Sequence, residues 1–190
     1  MAWLLKVIIF RTAALHFLLL VVTAANAVAG EQGVLEIQLK DHRDAIGDFA
    51  KLNITVEKIL ISPKPGLKFW HASWQELIPT ETNVDLTQFV DKKSARIYRD
   101  YIDAAKFDVF HLKIRAVEGV LKKNKRAAAV KNTVGPVKLA FEVRPQVETL
   151  LIIDLAVTDF SDHPPRGYEL GLKGLQLSVG GKLIARIPPG

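Results

Sequence analysis

The chain has 190 residues, 49% hydrophobic and 24% charged, which suits one globular domain and is too apolar for disorder. A formal net charge of +6 permits contact with acidic surfaces but is no signature of nucleic-acid binding, which concentrates Lys and Arg on one face. There is no cysteine, so disulfides, thiolate metal sites and cysteine nucleophiles are excluded.

Residues 1–29 read as a secretory signal peptide rather than as part of the fold. Lys6 and Arg11 form the n-region, Thr12 to Val22 is apolar apart from His16, and Ala25-Asn26-Ala27 and Ala27-Val28-Ala29 are overlapping A-x-A sites. The alternative is an uncleaved anchor, since Trp3 to Val22 is about long enough to span a bilayer if its two cations snorkel. Cleavage would remove Lys6 and Arg11, leave residues 30–190 as a single domain, and place it in the periplasm or outside the cell with no membrane span. No lipobox cysteine is available for a lipid anchor.

Val34 to Leu39 alternates, with Leu35, Ile37 and Leu39 on one face and Glu36 and Gln38 on the other, the pattern of a strand with one wet face. Leu52, Ile54 and Val56 begin a second strand whose phase slips, so that Ile59 and Ile61 continue it. A β-bulge near Glu57-Lys58 restores both sets to the core face. Ser62 to Gly66 is strong turn chemistry. Trp70 and Trp74, four apart, fit a strand or a helix equally, and "NVDLTQFV", Asn83 to Val90, reads as a short strand. Ser94 to Ala105 is the one helix candidate, with Ser94 as N-cap and Ile97 and Tyr101 on one face. Phe110, Leu112, Ile114 and Ala116 alternate against His111, Lys113 and Arg115, and a hairpin follows with its tip at Lys122 to Arg126. Val137, Leu139, Phe141 and Val143 mark another strand. Glu148 to Phe160 is apolar on both faces, as a central strand should be, and Tyr168 to Val179 and Lys182 to Ile187 close the chain. About eight to ten short strands and one short helix predict an all-β fold, a single antiparallel β-sandwich.

The order "VLEIQLKD", "LNITVEKILISP", "VDLTQFV", "FDVFHLKI", "VKLAFEV" and "LLIIDLAV" resembles the secreted bacterial and archaeal proteins of domain-of-unknown-function family 4382, over Gly33 to Val179. The resemblance implies a prealbumin-like β-sandwich outside the cytoplasm, commonly lipid-tethered, and brings no activity. The chain departs from the family at Lys40-Asp41-His42-Arg43, where Thr-Asp-Ala-Pro is typical, and at Phe110-His111-Leu112, where Ile-Arg-Leu is frequent.

Several groups could carry chemistry. Asp41, Asp44 and Asp48 lie within eight positions and could hold Ca²⁺, a hard cation that takes oxygen donors. Their spacing departs from the EF-hand loop and Arg43 intrudes, so the segment also reads as a solvated connection. Asp159, Asp162 and His163 form a second such cluster, read first as turn chemistry. Asp154 interrupts "LLIIDLAV" on the face of Leu150 and Ile152, opposite Thr149, Leu151, Ile153, Leu155 and Val157. If buried, it needs backbone N–H groups or an arginine. The basic tip 122–126 guards against edge pairing or touches an anionic polymer. Trp70, His71 and Trp74 pack against a sheet or form a sugar platform. Asn53-Ile54-Thr55 is a sequon inside a strand. No G-x-S-x-G, H-E-x-x-H, phosphate loop or dinucleotide fingerprint occurs, and no cofactor is implied. The reading is an exported, non-enzymatic module of the cell envelope that binds or adheres to an extracytoplasmic partner and not to nucleic acid. The alternative is a structural subunit that assembles through an edge strand such as Val34 to Leu39.

Overall fold

The computed structural model describes residues 31–63, 73–162 and 167–187. Backbone contacts gather Glu31–Gly190 into one compact unit. Residues 1–30, which include the expected signal peptide, lie outside the described residues, as do Trp70, His71 and His163, and no described helix is long and apolar enough to cross a membrane.

The described fold is all-β. Its strands are β1 (Gln32–Asp41), β2 (Phe49–Ser62), β3 (Gln75–Leu77), β4 (Asn83–Asp85), β5 (Ala95–Asp103), β6 (Ala105–Leu121), β7 (Ala127–Ala128), β8 (Val130–Asn132), β9 (Val137–Val143), β10 (Glu148–Asp159), β11 (Tyr168–Val179) and β12 (Lys182–Ile187). One six-stranded sheet, sheet A, runs β12-β11-β10-β1-β5, with β8 beside β11. The other, sheet B, runs β3-β2-β6-β7, with β4 beside β2 and β9 beside β6. Two 3-10 turns, Ala45–Asp48 and Leu86–Gln88, are the helical elements among the described residues.

The period-two readings account for the core. Leu35, Ile37 and Leu39 of β1 and Leu151, Ile153, Leu155 and Val157 of β10 have no exposed surface. They join Ile54, Ile59, Leu112, Leu139 and Phe141 of sheet B in one hydrophobic cluster. Burial of a side chain of this size stabilises the fold by about 1.5–3 kcal/mol. The phase slip in β2 is a real irregularity: register against β6 shifts on both sides of Val56, so Ile54, Val56, Ile59 and Ile61 are all buried.

Four expectations are corrected. Ser94 to Ala105 is not a helix, because Ala95–Asp103 pairs antiparallel with β1. A bulge there leaves Ile97 unmatched between Ile37↔Tyr98 and Gln38↔Arg96, so Ile97 and Tyr98 are both buried while Tyr101 is 65% exposed. Spacing of four mimicked a helix face, whereas β-branched and aromatic side chains fit the pleat. Sheet A is not purely antiparallel, since β1 runs parallel to β10 and β8 parallel to β11. Val34 to Leu39 is not an edge, since β1 lies between β10 and β5. The expected strand over 83–90 is strand only to Asp85, whose Oδ1 accepts hydrogen bonds from Thr87 N and Leu52 N and turns the chain. The β11–β12 hairpin closes through Gly180 and Gly181, both at positive φ (55° and 77°), the geometry of a two-residue turn that glycine adopts without strain.

Candidate functional site

The alternation that buries Leu35, Ile37 and Leu39 continues one step further, to Asp41. Its side chain is therefore on the core face, with no exposed surface, rather than in the loop that follows. Asp41 Oδ1 accepts a hydrogen bond from Arg43 N (2.8 Å), and Oδ2 is buried without a partner among the described residues. Its backbone joins three segments: Asp41 N donates to Phe89 O (2.8 Å), Asp91 N donates to Asp41 O (3.4 Å), and the next residue, His42, donates its N–H to Leu155 O (2.8 Å). Burial pushes the carboxyl up to about 6. The Arg43 N–H opposes this, and the nearby charges of Asp154 and Asp44 add to it.

Asp154 lies on the opposite face of sheet A, as alternation in β10 requires. It is 7% exposed. Parallel pairing sets Lys40 of β1 directly beside it. Lys40 Nζ lies 3.0 Å and His42 Nδ1 3.1 Å from Asp154 Oδ2, so the partners are a lysine and an imidazole rather than backbone N–H groups or an arginine. In the neutral ring an Nδ1–H donated to Asp154 leaves Nε2 as an acceptor. Asp154 Oδ1 is buried and has no hydrogen-bond partner among the described residues.

An open cleft of ≈ 460 Å³ lies over this group, with Lys40, His42, Asp154, Lys173, Gln176 and Arg186 on its walls. Two local features shape it. Register between β10 and β11 shifts between Asp154 and Leu155, and the unmatched residue on β11 is Lys173, a bulge that re-aims a side chain. Gly174, opposite Asp154, lets the end of β12 approach: a Cβ there would lie 3.1 Å from Ile187 O. Lys173 Nζ is 3.4 Å from Asp44 Oδ2, and the Arg186 side chain has no ion-pair or hydrogen-bond partner among the described residues. The cleft can hold an anion against Arg186, Lys173 and Lys40, and can accept a hydrogen bond at His42. Among the described residues its lining contains no Ser or Thr to serve as nucleophile to the Asp154–His42 pair.

The three carboxylates considered for Ca²⁺ have separate partners. Asp41 faces the core, Asp44 meets Lys173, and Asp48 Oδ2 accepts from the Tyr168 hydroxyl at 3.2 Å. Among the described residues no three His, Asp or Glu side chains are grouped to hold a metal ion. The second acidic loop comes to the same end of the unit as Asp48. Burial raises the Tyr168 phenol pKa, and the charges of Asp48 and Asp159 raise it further. Asp159 itself accepts from the Ser161 hydroxyl and from Ser161 N (2.8 Å), and these, the hydroxyl first, hold its pKa down in an Asx-like turn. The tip 122–126 is a hairpin turn between β6 and β7 as read, tied to the acidic loop by Lys122 N donating to Asp48 O (2.7 Å). Trp74 lies beside His111, ring centroids 6.5 Å apart.

Sequence reasoning singled out Asp154 but not its union with His42, and it gave no role to Lys40, Lys173 or Arg186. The parity of β1 could have exposed Asp41. The parallel register that brings Lys40 to Asp154 has no local signature in the sequence.

A profile of the domain of unknown function DUF4382 matches residues 32–170, from the first strand into β11. No curated protein and no solved structure matches the chain. The β1–β10 pair falls within the matched region with Lys40, His42 and Asp154 of the cleft, whereas Lys173, Gln176 and Arg186 lie beyond it; the chain belongs to the DUF4382 family.

Proposed function

We propose that this protein is an exported, non-enzymatic β-sandwich module that binds an extracytoplasmic partner through the cleft of Lys40, His42, Asp154, Lys173 and Arg186. The observation that carries the reading is Asp154: a carboxylate only 7% exposed, with one oxygen holding Lys40 and His42 and the other unserved by the described residues, on the wall of an open cleft. Burying an unserved charged oxygen is costly, and such groups concentrate where a ligand completes them. The leader-like residues 1–29 support export, and the cations set around a buried carboxylate on an open wall support a binding surface.

The test uses protein exported from an expressing host. Intact mass should show a chain beginning at Val28 or Gly30, and the protein should co-sediment with isolated cell envelopes. The Lys173→Ala/Arg186→Ala double variant should lose co-sedimentation while keeping its β-sheet spectrum. Equal sedimentation of both proteins, or of neither, would defeat the cleft as the binding surface.

A second reading, a structural subunit, is supported by a different observation. Strand β12 is an edge of sheet A and exposes Leu183 (46%) and Ile184 (57%). Edge pairing through Lys182–Ile187 would appear as a mass that rises with concentration in light scattering.

A further inference from the structure

A second cavity, of ≈ 480 Å³, shares no lining residue with the cleft. It lies between strands β9 and β6 of sheet B and strands β11 and β12 of sheet A, and β9 and β12 each have one paired neighbour. Its walls are apolar: Phe107 and Phe141, stacked with centroids 5.1 Å apart, Leu177, Val179 and Ile184. Ile184 remains 57% exposed beside them.

The rim is charged. Glu142 is held by Arg144, Nε to Oε2 at 2.9 Å. The side chains of Lys106 and Lys182 make no hydrogen bond or ion pair within 4.0 Å among the described residues; the Arg144 hydrogen bond holds the Glu142 pKa down, and the Lys106 charge adds to it. Asp108 is the remaining carboxylate, so three cations face two anions around an apolar floor.

An apolar cavity with a few polar groups converging at its mouth is the common form of a small-ligand site. We infer that this cavity binds a monomeric anionic amphiphile, with its hydrocarbon part against Phe107, Phe141, Leu177 and Ile184 and its carboxylate between Lys106 and Lys182. The charge selects the ligand. A neutral chain gains only the apolar contact, a cationic one is repelled by the excess positive rim, and an anion gains both contact and charge pairing. The inference stands apart from the cleft reading, because the two sites have no lining residue in common.

The probe is 1-anilinonaphthalene-8-sulfonate with purified full-length protein, displaced by dodecanoate or dodecan-1-ol below their aggregation limits. Dodecanoate should displace the dye at a concentration about tenfold below the alcohol, a difference worth about 1.4 kcal/mol. Ala140→Trp, at an exposed lining position, should fill the cavity and weaken both ligands about tenfold. Ile184→Gln, also exposed, should weaken both in the same direction and guards against a folding defect in the first variant. Lys106→Gln/Lys182→Gln should remove the preference for dodecanoate and leave dodecan-1-ol binding unchanged. Equal affinity for acid and alcohol in the unaltered protein would overturn the inference, as would dye displacement that neither cavity variant alters. Flotation with phosphatidylglycerol vesicles that Ala140→Trp abolishes would also overturn it, by assigning the surface to a membrane instead of a monomeric ligand.

Discussion

Sheet A buries two carboxylates on its outer face, Glu36 and Asp154, and the structure treats them differently. Glu36 is 6% exposed, and both of its oxygens are served: Oε1 accepts from Gln38 Nε2, and Oε2 meets Arg99 at 3.0 Å, with Arg96 at 4.0 Å. Arg99 also reaches Glu148 (2.6 Å), so the group closes into a network across β5, β1 and β10. Asp154 gathers Lys40 and His42 on one oxygen and leaves the other without a partner among the described residues. A satisfied network fixes sheet geometry; a half-served carboxylate beside a cleft is poised for something else. The difference separates a buried charge closed into the sheet from one on which the proposed site rests.

Breaking each group by one residue sharpens that contrast. Lys40→Met should destabilise the protein by about 3 kcal/mol, because it strands a buried carboxylate with only His42 for support. Arg99→Met should cost about 1 kcal/mol, since Arg99 is half exposed and Gln38 and Arg96 remain on Glu36. Urea unfolding of both variants gives the comparison, and equal losses would erase it.

Asp41 provides the next effect. Its folded pKa, raised to about 6 chiefly by burial, lies above the unfolded value of 3.8, so the folded state binds the proton more tightly. Stability should therefore increase as pH falls from about 6 toward 4, and the cost of the ionised carboxylate should be fully present above 6. Allowing for solvent screening, that cost is about 1–2 kcal/mol. Asp41→Asn should flatten the change in unfolding free energy across this window; persistence of the full slope would assign it to another group.

The smallest effect belongs to Asp44. Its pair with Lys173 is partly exposed, and Asp44→Asn should cost no more than about 0.2–1 kcal/mol. Because Asp41, Asp44 and Asp48 turn to separate partners, millimolar Ca²⁺ should leave the melting temperature of the unaltered protein where a chelator leaves it. A rise of several degrees would restore the three carboxylates as a cation site.

Much of the fold was legible because its signal is local. Parity alone placed Leu35, Ile37 and Leu39, and the broken parity in β2 revealed the irregularity at Val56 to Lys58. The same parity put Asp154 with Leu150 and Ile152, opposite the buried row of β10. What failed was non-local or phase-shifted. The bulge at Ile97 disguised a strand as a helix, and the parallel pairing of β1 with β10 turned a supposed edge into the middle of a sheet. The cleft depends on that pairing and on the Lys173 bulge, neither of which leaves a motif in the chain.

The position of β1 also dictates an order of assembly. Both of its neighbours come later in the chain, and Val34 waits for Glu148 before the parallel ladder can start. Loop closure over such a separation is slow, so the centre of sheet A closes late, whereas β2 and β6 can pair well before it. Until residue 148 has been made, the apolar rows of β1 and β10 have no ladder to join, although sheet B can already have paired. Lengthening the wait would cost little in stability, but bringing β10 before β1 by circular permutation at an exposed turn should speed folding, read by stopped-flow refolding.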